Sequence, residues 1–331
     1  MEQKIIHGEA IEELKKMKNN SVDAIITDPP YNVLAVDWDK QEIDWKTLTE
    51  EYYRVLKVNG IIYVFGQFPM INNVFNELNK RFKFKQDLVW YKNRGFSLTK
   101  TTFTKYHENI LFFVKDNQVI LNSFGEYVRK NRKNKKLTVE KLKPMIGMKN
   151  MYAKTDGRNI DAGFNFFETG QKFPRRDIYD KLKEVLDLDD RFDCLFDRPT
   201  FNFEDIKLEG EPYKITRKEQ KVYGMKSNMG EFTQINTGKR NPKTVLEYSI
   251  IQSGKEYFRH PTQKPVELLK YLISSCTNEG DIVLDTFAGS FSTLKACQEI
   301  NRKGIGIELE EKYIEIGKKR LQQSSLNTSQ T

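Results

Sequence analysis

The sequence predicts an α/β protein with a doubly wound, mostly parallel sheet that is interrupted by an inserted region. Short apolar runs rich in β-branched residues, such as 22–27, 61–65 and 303–308, are typical of buried strands. They alternate with stretches that place apolar residues at helical spacing, and a strand–helix–strand succession is the parallel crossover unit. Between about residues 117 and 245 this alternation disappears, which indicates a separate module.

The first 116 residues carry most of the alternation. Helical spacing is clear in 45–56, and Asn59-Gly60 is predicted to separate this helix from the next strand. The segment 92–108 between two predicted strands is rich in Thr, Lys and aromatic residues and shows no helical period. In chain order the predicted elements are strand 4–7, helix 10–17, strand 22–27, helix 45–56, strand 61–65, helix 70–80, strand 86–91 and strand 109–114.

Regular elements resume after residue 245. Pro265 is well placed to begin a helix, because its missing N–H costs nothing at a first helical position. Beyond it we expect strand 281–285, helix 292–299, strand 303–308 and helix 310–321. The predicted division of the chain is therefore 1–116, 117–245, 246–321 and a disordered polar tail, 322–331.

Composition excludes several classes of protein. No apolar run approaches the roughly 20 residues that a membrane span needs, and no apolar signal segment follows Met1, so we expect a cytoplasmic protein without a membrane partner. The three cysteines and three histidines are scattered, which predicts neither a disulfide framework nor a metal site. The net charge of +9 fits a polyanionic partner without proving one.

The stretch Asp28-Pro29-Pro30-Tyr31 directly follows the apolar run 22–27, so it is predicted at the carboxyl edge of the sheet, where open α/β folds bind ligands. The two prolines stiffen the loop and lack an N–H, which leaves the carbonyl groups free to accept hydrogen bonds. The Asp28 carboxylate and the Pro29 carbonyl suit the two N–H groups of an exocyclic amine, and Tyr31 suits stacking on a planar base. A plain strand end with a proline-rich turn is the alternative.

A second candidate site runs from Asp285 to Glu308. A strand ends in an acid, a turn of small residues with Gly289 allows close approach to a ligand, and the next strand ends in another acid. This is the arrangement of nucleoside cofactor sites, in which the second acid binds ribose hydroxyls. The dinucleotide pattern G-x-G-x-x-G is absent, so a cofactor with ribose but no phosphates fits better, and S-adenosylmethionine (SAM) is the candidate.

Taken together, D-P-P-Y, a basic central insertion, H-P-T-Q-K-P at 260–265 and D-T-F-A-G-S at 285–290 resemble the amino-group (N6-adenine/N4-cytosine) DNA methyltransferases. The order, with D-P-P-Y before the cofactor motif, is that of the family's β group. The resemblance covers roughly 1–115 and 255–320. It implies a SAM-dependent, Rossmann-like fold in which 1–116 is the catalytic half, 117–245 recognises the DNA target and 246–321 is the SAM-binding half.

The resemblance also assigns residues. The catalytic motif is matched by Asp28, Pro29, Pro30 and Tyr31. The residues that match cofactor-binding positions are Gly8, Glu9, Ala10, Asp28, Thr262, Lys264, Pro265, Asp285, Phe287, Gly289, Ser290 and Glu308. Two positions depart from the pattern, since the family more often has Asp at Glu9 and Gly at Phe291. Because a phenylalanine does not take positive φ cheaply, we expect the turn to differ at Phe291.

The implied function is site-specific methylation of the N6 amine of adenine in a base flipped out of double-stranded DNA. N4-cytosine methylation is the first alternative, a protein-glutamine methyltransferase and a non-catalytic nucleic-acid-binding protein are the others. Cytosine-C5 chemistry needs a nucleophilic cysteine after a proline, and no cysteine here follows one. The resemblance allows a homodimer and a cognate restriction enzyme as partners.

The basic residues of the insertion are the candidates for contact with DNA phosphates. Residues 127–149 are dominated by Lys and Arg, and aromatic residues alternate with basic ones beyond them. A basic run is commonly a solvated face, but this one lies in an insertion beside a candidate base pocket. The predicted DNA-binding residues are Arg129, Lys130, Arg132, Lys133, Arg175 and Arg176.

Overall fold

The computed structural model describes most of the chain. The described residues are 1–31, 42–96, 103–115, 118–148, 153–155, 158–160, 164–169, 174–190, 192–193, 201–202, 204–208, 213–217, 221–222, 225–226, 232–236, 241–254, 256–258 and 260–323. All but the first residues of the predicted disordered tail lie outside these ranges. No helix within these ranges is both long and apolar enough to cross a membrane.

Strands and helices alternate through the first 114 residues and again after residue 260. The strands of the first part are β1 (Gln3–His7), β2 (Val22–Thr27), β3 (Leu56–Gly66), β4 (Lys83–Phe96) and β5 (Lys105–Val114), and its helices are α1 (Ala10–Lys15), α2 (Trp45–Val55) and α3 (Met70–Leu78).

The remaining elements belong to the central region and to the last part of the chain. In the central region lie α4 (Gln118–Asn134), α5 (Val139–Met145), β6 (Ala153–Thr155), β7 (Arg158–Ile160), α6 (Asn165–Glu168), α7 (Arg176–Leu186), β8 (Tyr213–Arg217), β9 (Lys221–Val222), β10 (Met225–Lys226) and β11 (Phe232–Asn236). The last part contains β12 (Val245–Glu247), α8 (Val266–Cys276), β13 (Ile282–Asp285), α9 (Ser292–Glu299), β14 (Lys303–Glu308) and α10 (Glu311–Gln322).

In the described chain one eight-stranded sheet has the order β1-β14-β13-β2-β3-β5-β4-β12. Every neighbouring pair is parallel except the two pairs that β5 makes with β3 and β4. Apolar clusters lie on both faces of the sheet, with α8 and α9 on one and α1, α2 and α3 on the other. The predicted doubly wound, mostly parallel α/β fold is therefore confirmed.

The strands are longer than the sequence predicted. β3 begins at Leu56, directly after α2, and Asn59 adopts a left-handed φ of 62° inside it instead of ending an element. The register against β2 shifts between Val22 and Ala24, so the extra residues are absorbed as an irregularity in the strand. β4 and β5 likewise extend beyond the predicted strands 86–91 and 109–114, to Phe96 and from Lys105.

The central region has a core of its own. Helices α4, α5 and α7 bury an apolar cluster that includes Phe124, Leu142, Tyr179 and Leu182. Short antiparallel pairs, β6–β7, β8–β11 and β9–β10, lie outside the main sheet. β12, which begins at the last residue of the predicted insertion, pairs with β4 in the main sheet. The division at 117–245 stays a prediction.

Candidate active site

Carboxyl groups follow three neighbouring strands at the carboxyl edge of the sheet. Asp28 comes directly after β2, Asp285 is the last residue of β13 and Glu308 is the last residue of β14. Because these strands are parallel and adjacent, their ends meet at one edge. The hydroxyl oxygens of Thr27 and Thr286 lie 3.1 Å apart and join the ends of β2 and β13.

A fourth carboxyl group reaches this edge from the antiparallel strand. β5 runs antiparallel to both of its neighbours and begins near the edge at which β3 ends. Asn109 therefore pairs with Gly66, the last residue of β3, and Glu108 pairs with Trp90 of β4. The side chain of Glu108 is only 7% exposed. Glu108 therefore lies beside the Asp28 loop although 80 residues separate the two in sequence.

The Asp28 carboxylate is held by two donors. The Tyr31 hydroxyl donates to Oδ1 at 2.5 Å, and the Lys264 ammonium forms an ion pair with Oδ2. Burial raises the pKa of Asp28 above its ordinary value, although Lys264 opposes this. Burial disfavours the charged form of Lys264, but Asp28 and Glu108 raise its pKa, so the lysine is a cation at neutral pH.

Glu108 is placed between two lysines. Lys92 donates to Oε1 at 2.5 Å, whereas Oε2 has longer contacts, 3.4 Å to the Lys264 nitrogen and 3.3 Å to the Tyr31 hydroxyl. Burial acts to raise the pKa of Glu108, but Lys264 and Lys92 hold it below its ordinary value. Two carboxylates and two ammonium groups thus form one compact buried network.

The Asp285 carboxyl group is fixed by the turn that follows it. The Thr293 hydroxyl donates to Oδ2 at 2.6 Å and the Phe287 N–H donates to Oδ1 at 3.2 Å. Burial raises the pKa of Asp285 to about 7. A polar group of a ligand bound at this turn would therefore meet the Asp285 carboxyl group, whose pKa is near neutral.

Backbone N–H groups orient Glu308 in a similar way. Gly289 donates to Oε2 at 2.7 Å and Glu310 donates to Oε1 at 2.8 Å. Each carboxylate oxygen keeps a further lone pair, which suits hydroxyl groups of a ligand. Burial raises the pKa of Glu308 above its ordinary value.

Gly289 is required at this turn for two reasons. Its φ is +50°, and an added Cβ would lie 2.9 Å from Nε2 of His260. The His260 ring packs edge-on against Tyr313, with 4.4 Å between ring centroids. Burial lowers the pKa of His260 to about 3, so the imidazole is neutral at the wall of the site.

These groups surround one cavity of about 710 Å³. Asp28, Pro29, Pro30 and Tyr31 line it, and so does every residue predicted to bind the cofactor except Pro265, which instead precedes α8 as its cap. At the mouth, Arg94 and Lys105 accompany Phe103, whose side chain is almost fully exposed. No cluster of His, Cys, Asp or Glu suited to a metal occurs in the part of the chain that the structure describes.

The residues predicted to bind DNA do not line this cavity, and they differ in their surroundings. Arg132 pairs with Glu168 at 2.6 Å and is 14% exposed, while Arg129 donates to the Glu168 carbonyl oxygen at 2.6 Å. Lys130 and Lys133 point outward from the same helix, α4. Arg175 pairs with Asp177, and Arg176 pairs with Asp180 and Asp193, all at the surface.

The family resemblance places His107-Glu108 where the family carries similar residues, but sequence reasoning gave Glu108 no role in the site and left Lys92 out of it. A signal for Glu108 was present, because it is in phase with Ile110, Phe112 and Val114, which fill the core on one face of β5. A charged residue at a buried position of a strand needs a partner of opposite charge. The partners, Lys92 and Lys264, come from other elements, and only their geometry identifies them.

Comparison with known proteins gives consistent results. A model of a family described as DNA methylase matches residues 22–319. The chain is 30% identical, over 97% of its length and 83% of the relative, to the DNA adenine methyltransferase YhdJ of Escherichia coli. It is 28% identical, over 97% of its length and 74% of the relative, to the type II methyltransferase M.HpaI of Haemophilus parainfluenzae.

Among solved structures, a cytosine methyltransferase gives an example of a similar fold. The cytosine-N4-specific PvuII DNA methyltransferase aligns with a TM-score of 0.51, covering 96% of this chain and 85% of that one. The identity is 13%, so the likeness concerns the fold alone.

Proposed function

Because the chain belongs to the N6/N4 DNA methylase family, we propose that it transfers a methyl group from SAM to the N6 amine of an adenine flipped out of double-stranded DNA. The observation that carries this proposal is one cavity lined both by the loop Asp28 to Tyr31, which is predicted to bind an amine, and by residues from Asp285 to Glu308, which are predicted to bind a nucleoside. Asp28 and the similarity to an adenine methyltransferase favour adenine over cytosine.

The residues of the second site fit SAM. Glu308 offers oriented carboxylate oxygens to ribose hydroxyls, and Gly289 leaves room for a ligand beside the backbone. A cavity of about 710 Å³ lies within the usual range for small-molecule sites. When bound, SAM would supply the electrophilic methyl group.

The chain's own residues would position the amine. An amine conjugated to a purine is a poor nucleophile, and hydrogen bonds to the Asp28 carboxylate and the Pro29 carbonyl would aim its lone pair into the cavity. The nitrogen would gain the methyl group as the methyl–sulfur bond breaks and a neutral thioether leaves, and it would lose one proton, for which the Asp28 carboxylate is the proposed acceptor. Positioning and electrostatic stabilisation would provide most of the rate enhancement.

The test is mass spectrometry of nucleosides after incubation of the protein with SAM and unmethylated genomic DNA. We expect N6-methyladenine. The variant Asp28→Ala should reduce its formation by at least a hundredfold, while SAM affinity measured by calorimetry should change little. N4-methylcytosine would reverse the base assignment, and full activity in Asp28→Ala would end the proposed mechanism.

Several features of the assembly stay predictions. The rim cations Arg94 and Lys105, with exposed Phe103 between them in sequence, suit the mouth of a pocket that receives a base from DNA. Lys130, Lys133, Arg175 and the other basic residues of the central region are expected to contact phosphates. A homodimer and a cognate restriction enzyme remain expectations of the family resemblance.

A further inference from the structure

We propose that Glu108 is a positioning residue for methyl transfer, because it offers Lys264 a second acceptor and so releases Asp28 to the incoming amine. This inference rests on the proposed function. In the free protein the Lys264 ammonium occupies Oδ2 of Asp28, and the Tyr31 hydroxyl occupies Oδ1. Each oxygen of Asp28 therefore already accepts one hydrogen bond, and Lys264 offsets the negative charge that would attract an exocyclic amine.

Glu108 has an oxygen available for Lys264. Its Oε1 is engaged by Lys92 at 2.5 Å, but its Oε2 lies 3.4 Å from the Lys264 nitrogen and 3.3 Å from the Tyr31 hydroxyl. Both distances exceed those of a strong charge-assisted hydrogen bond, which are about 2.7–2.9 Å for a charged nitrogen donor. A shift of Lys264 by about 1 Å toward Oε2 would form such a bond.

The surroundings of Lys264 permit that shift. Its nitrogen lies 5.5 Å from the ring centroid of Tyr31, 5.3 Å from that of Phe65 and 5.9 Å from that of Trp90. These ring faces attract a cation from several sides, so the ammonium stays stabilised as it moves between the two carboxylates. Lys264 is 6% exposed in its side chain, and water does not compete strongly for it.

The movement matters because of charge. Methyl transfer places positive charge on the amine nitrogen, which the Asp28 carboxylate stabilises best when no other cation is bound to it. Lys264 on Asp28 opposes this, whereas Lys264 on Glu108 leaves the negative charge of Asp28 to the substrate. Glu108 acts on the reaction only through Lys264, without contacting the amine.

A simpler role for Glu108 is to neutralise two buried lysines. The two roles differ in what the variant Glu108→Gln does. If Glu108 serves only for charge balance, its replacement weakens folding or cofactor binding and leaves the rate of methyl transfer from bound SAM unchanged. If it receives Lys264, its replacement leaves the lysine on Asp28 and slows methyl transfer specifically.

The experiment is a double-mutant cycle with Glu108→Gln and Lys264→Met, using genomic DNA and radiolabelled SAM under single-turnover conditions. Assays are run at pH 8.5, because Lys264→Met removes a cation that keeps Asp28 ionised. Glu108→Gln should slow transfer by ten- to a hundredfold, with the SAM Kd within twofold of wild type. In the Lys264→Met background the same change should slow transfer by less than threefold.

The matched control is Asp87→Asn, which removes a carboxylate that binds Asn109 on the same pair of strands and does not line the cavity. It should leave the transfer rate unchanged. Glu108→Asp keeps the charge, so it should retain more activity than Glu108→Gln. It replaces Glu108→Gln in the cycle if the glutamine variant does not fold.

Four results would overturn the inference. Additive losses in the double variant would show that Glu108 does not act through Lys264. A large loss of SAM affinity in Glu108→Gln would assign it to cofactor binding. Wild-type rates in Glu108→Gln would remove it from the reaction while leaving the proposed function intact, whereas a wild-type protein that binds SAM but methylates no DNA base would refute both.

Discussion

Asp285 shows how a single buried carboxyl group links the cofactor site to stability. It lies at the end of β13 in the sheet interior, and burial raises its pKa to about 7. An acid whose pKa is higher in the folded than in the unfolded chain favours folding in its protonated form. Its contribution is complete below about pH 4 and is lost as the pH rises to about 7.

The variant Asp285→Asn should remove that dependence. Asparagine keeps one acceptor and stays neutral, so we expect the free energy of unfolding of the variant to gain on that of the wild type as the pH rises from about 4 to 7. Urea unfolding at several pH values, without SAM, measures the difference. The exposed Asp205→Asn is the control, and parallel stability curves for wild type and Asp285→Asn would contradict the assignment.

At the scale of elements, α9 and α10 together shape the turn between β13 and α9, which lines the candidate cofactor site. Phe291, the residue before α9, adopts a left-handed φ of 58° although it is not glycine. We expected the turn to differ here because a positive φ is costly for phenylalanine. Packing offsets this cost, since the Phe291 ring is fully buried between Gly306 of β14 and Gly317 of α10. Arg320 of α10 donates to the Ser290 carbonyl at 3.0 Å and fixes the same turn.

Gly317→Ala is expected to destabilise the protein, because the added methyl group would overlap the Phe291 ring. Overpacking of this kind costs about 1–3 kcal/mol. Thermal and urea unfolding measure the loss, and SAM affinity should fall with it if the turn shifts. Lys318→Ala, at an exposed neighbouring position, should change stability by less than about 0.5 kcal/mol. A fully stable Gly317→Ala variant would show that the ring has room to move.

At the scale of the molecule, the net charge of +9 is distributed over surfaces with different roles. Arg129 and Arg132 of α4 bind Glu168 within the central region, the first through its carbonyl oxygen and the second through its carboxylate. Lys130 and Lys133 of the same helix are exposed and are the stronger candidates for phosphate contact. The predicted basic cluster therefore divides into structural arginines and surface lysines.

Salt dependence of DNA binding tests this division. Each phosphate contact contributes about −0.9 to the slope of log K against log salt, so Lys130→Gln with Lys133→Gln should reduce the slope by about 2. Lys15→Gln with Lys16→Gln on α1 lowers the net charge equally and is the control. An unchanged slope would remove these lysines from the interface, and an equal fall in the control would point to net charge alone.

Much of the site could be predicted because it follows strand ends. Asp28 follows a buried strand, and Asp285 and Glu308 each end one. In a parallel sheet such residues lie at the carboxyl edge, whatever the order of the strands. Periodicity likewise predicted the helices of the first and last parts of the chain. It underestimated β3, β4 and β5, because Asn59 and the polar residues of 92–96 and 105–108 interrupt the apolar pattern although the strands include them.

The sequence by itself determined the fold class, the family and the two motifs, since these depend on local patterns of apolar residues, prolines, glycines and acids. The tertiary structure alone decided that β5 runs antiparallel and so brings Glu108 to Asp28, and that Lys92 and Lys264 meet there. It also decided which basic residues of α4 contact Glu168 and which are left exposed. These are contacts between residues distant in sequence, and their energies depend on burial and distance, which no local pattern encodes.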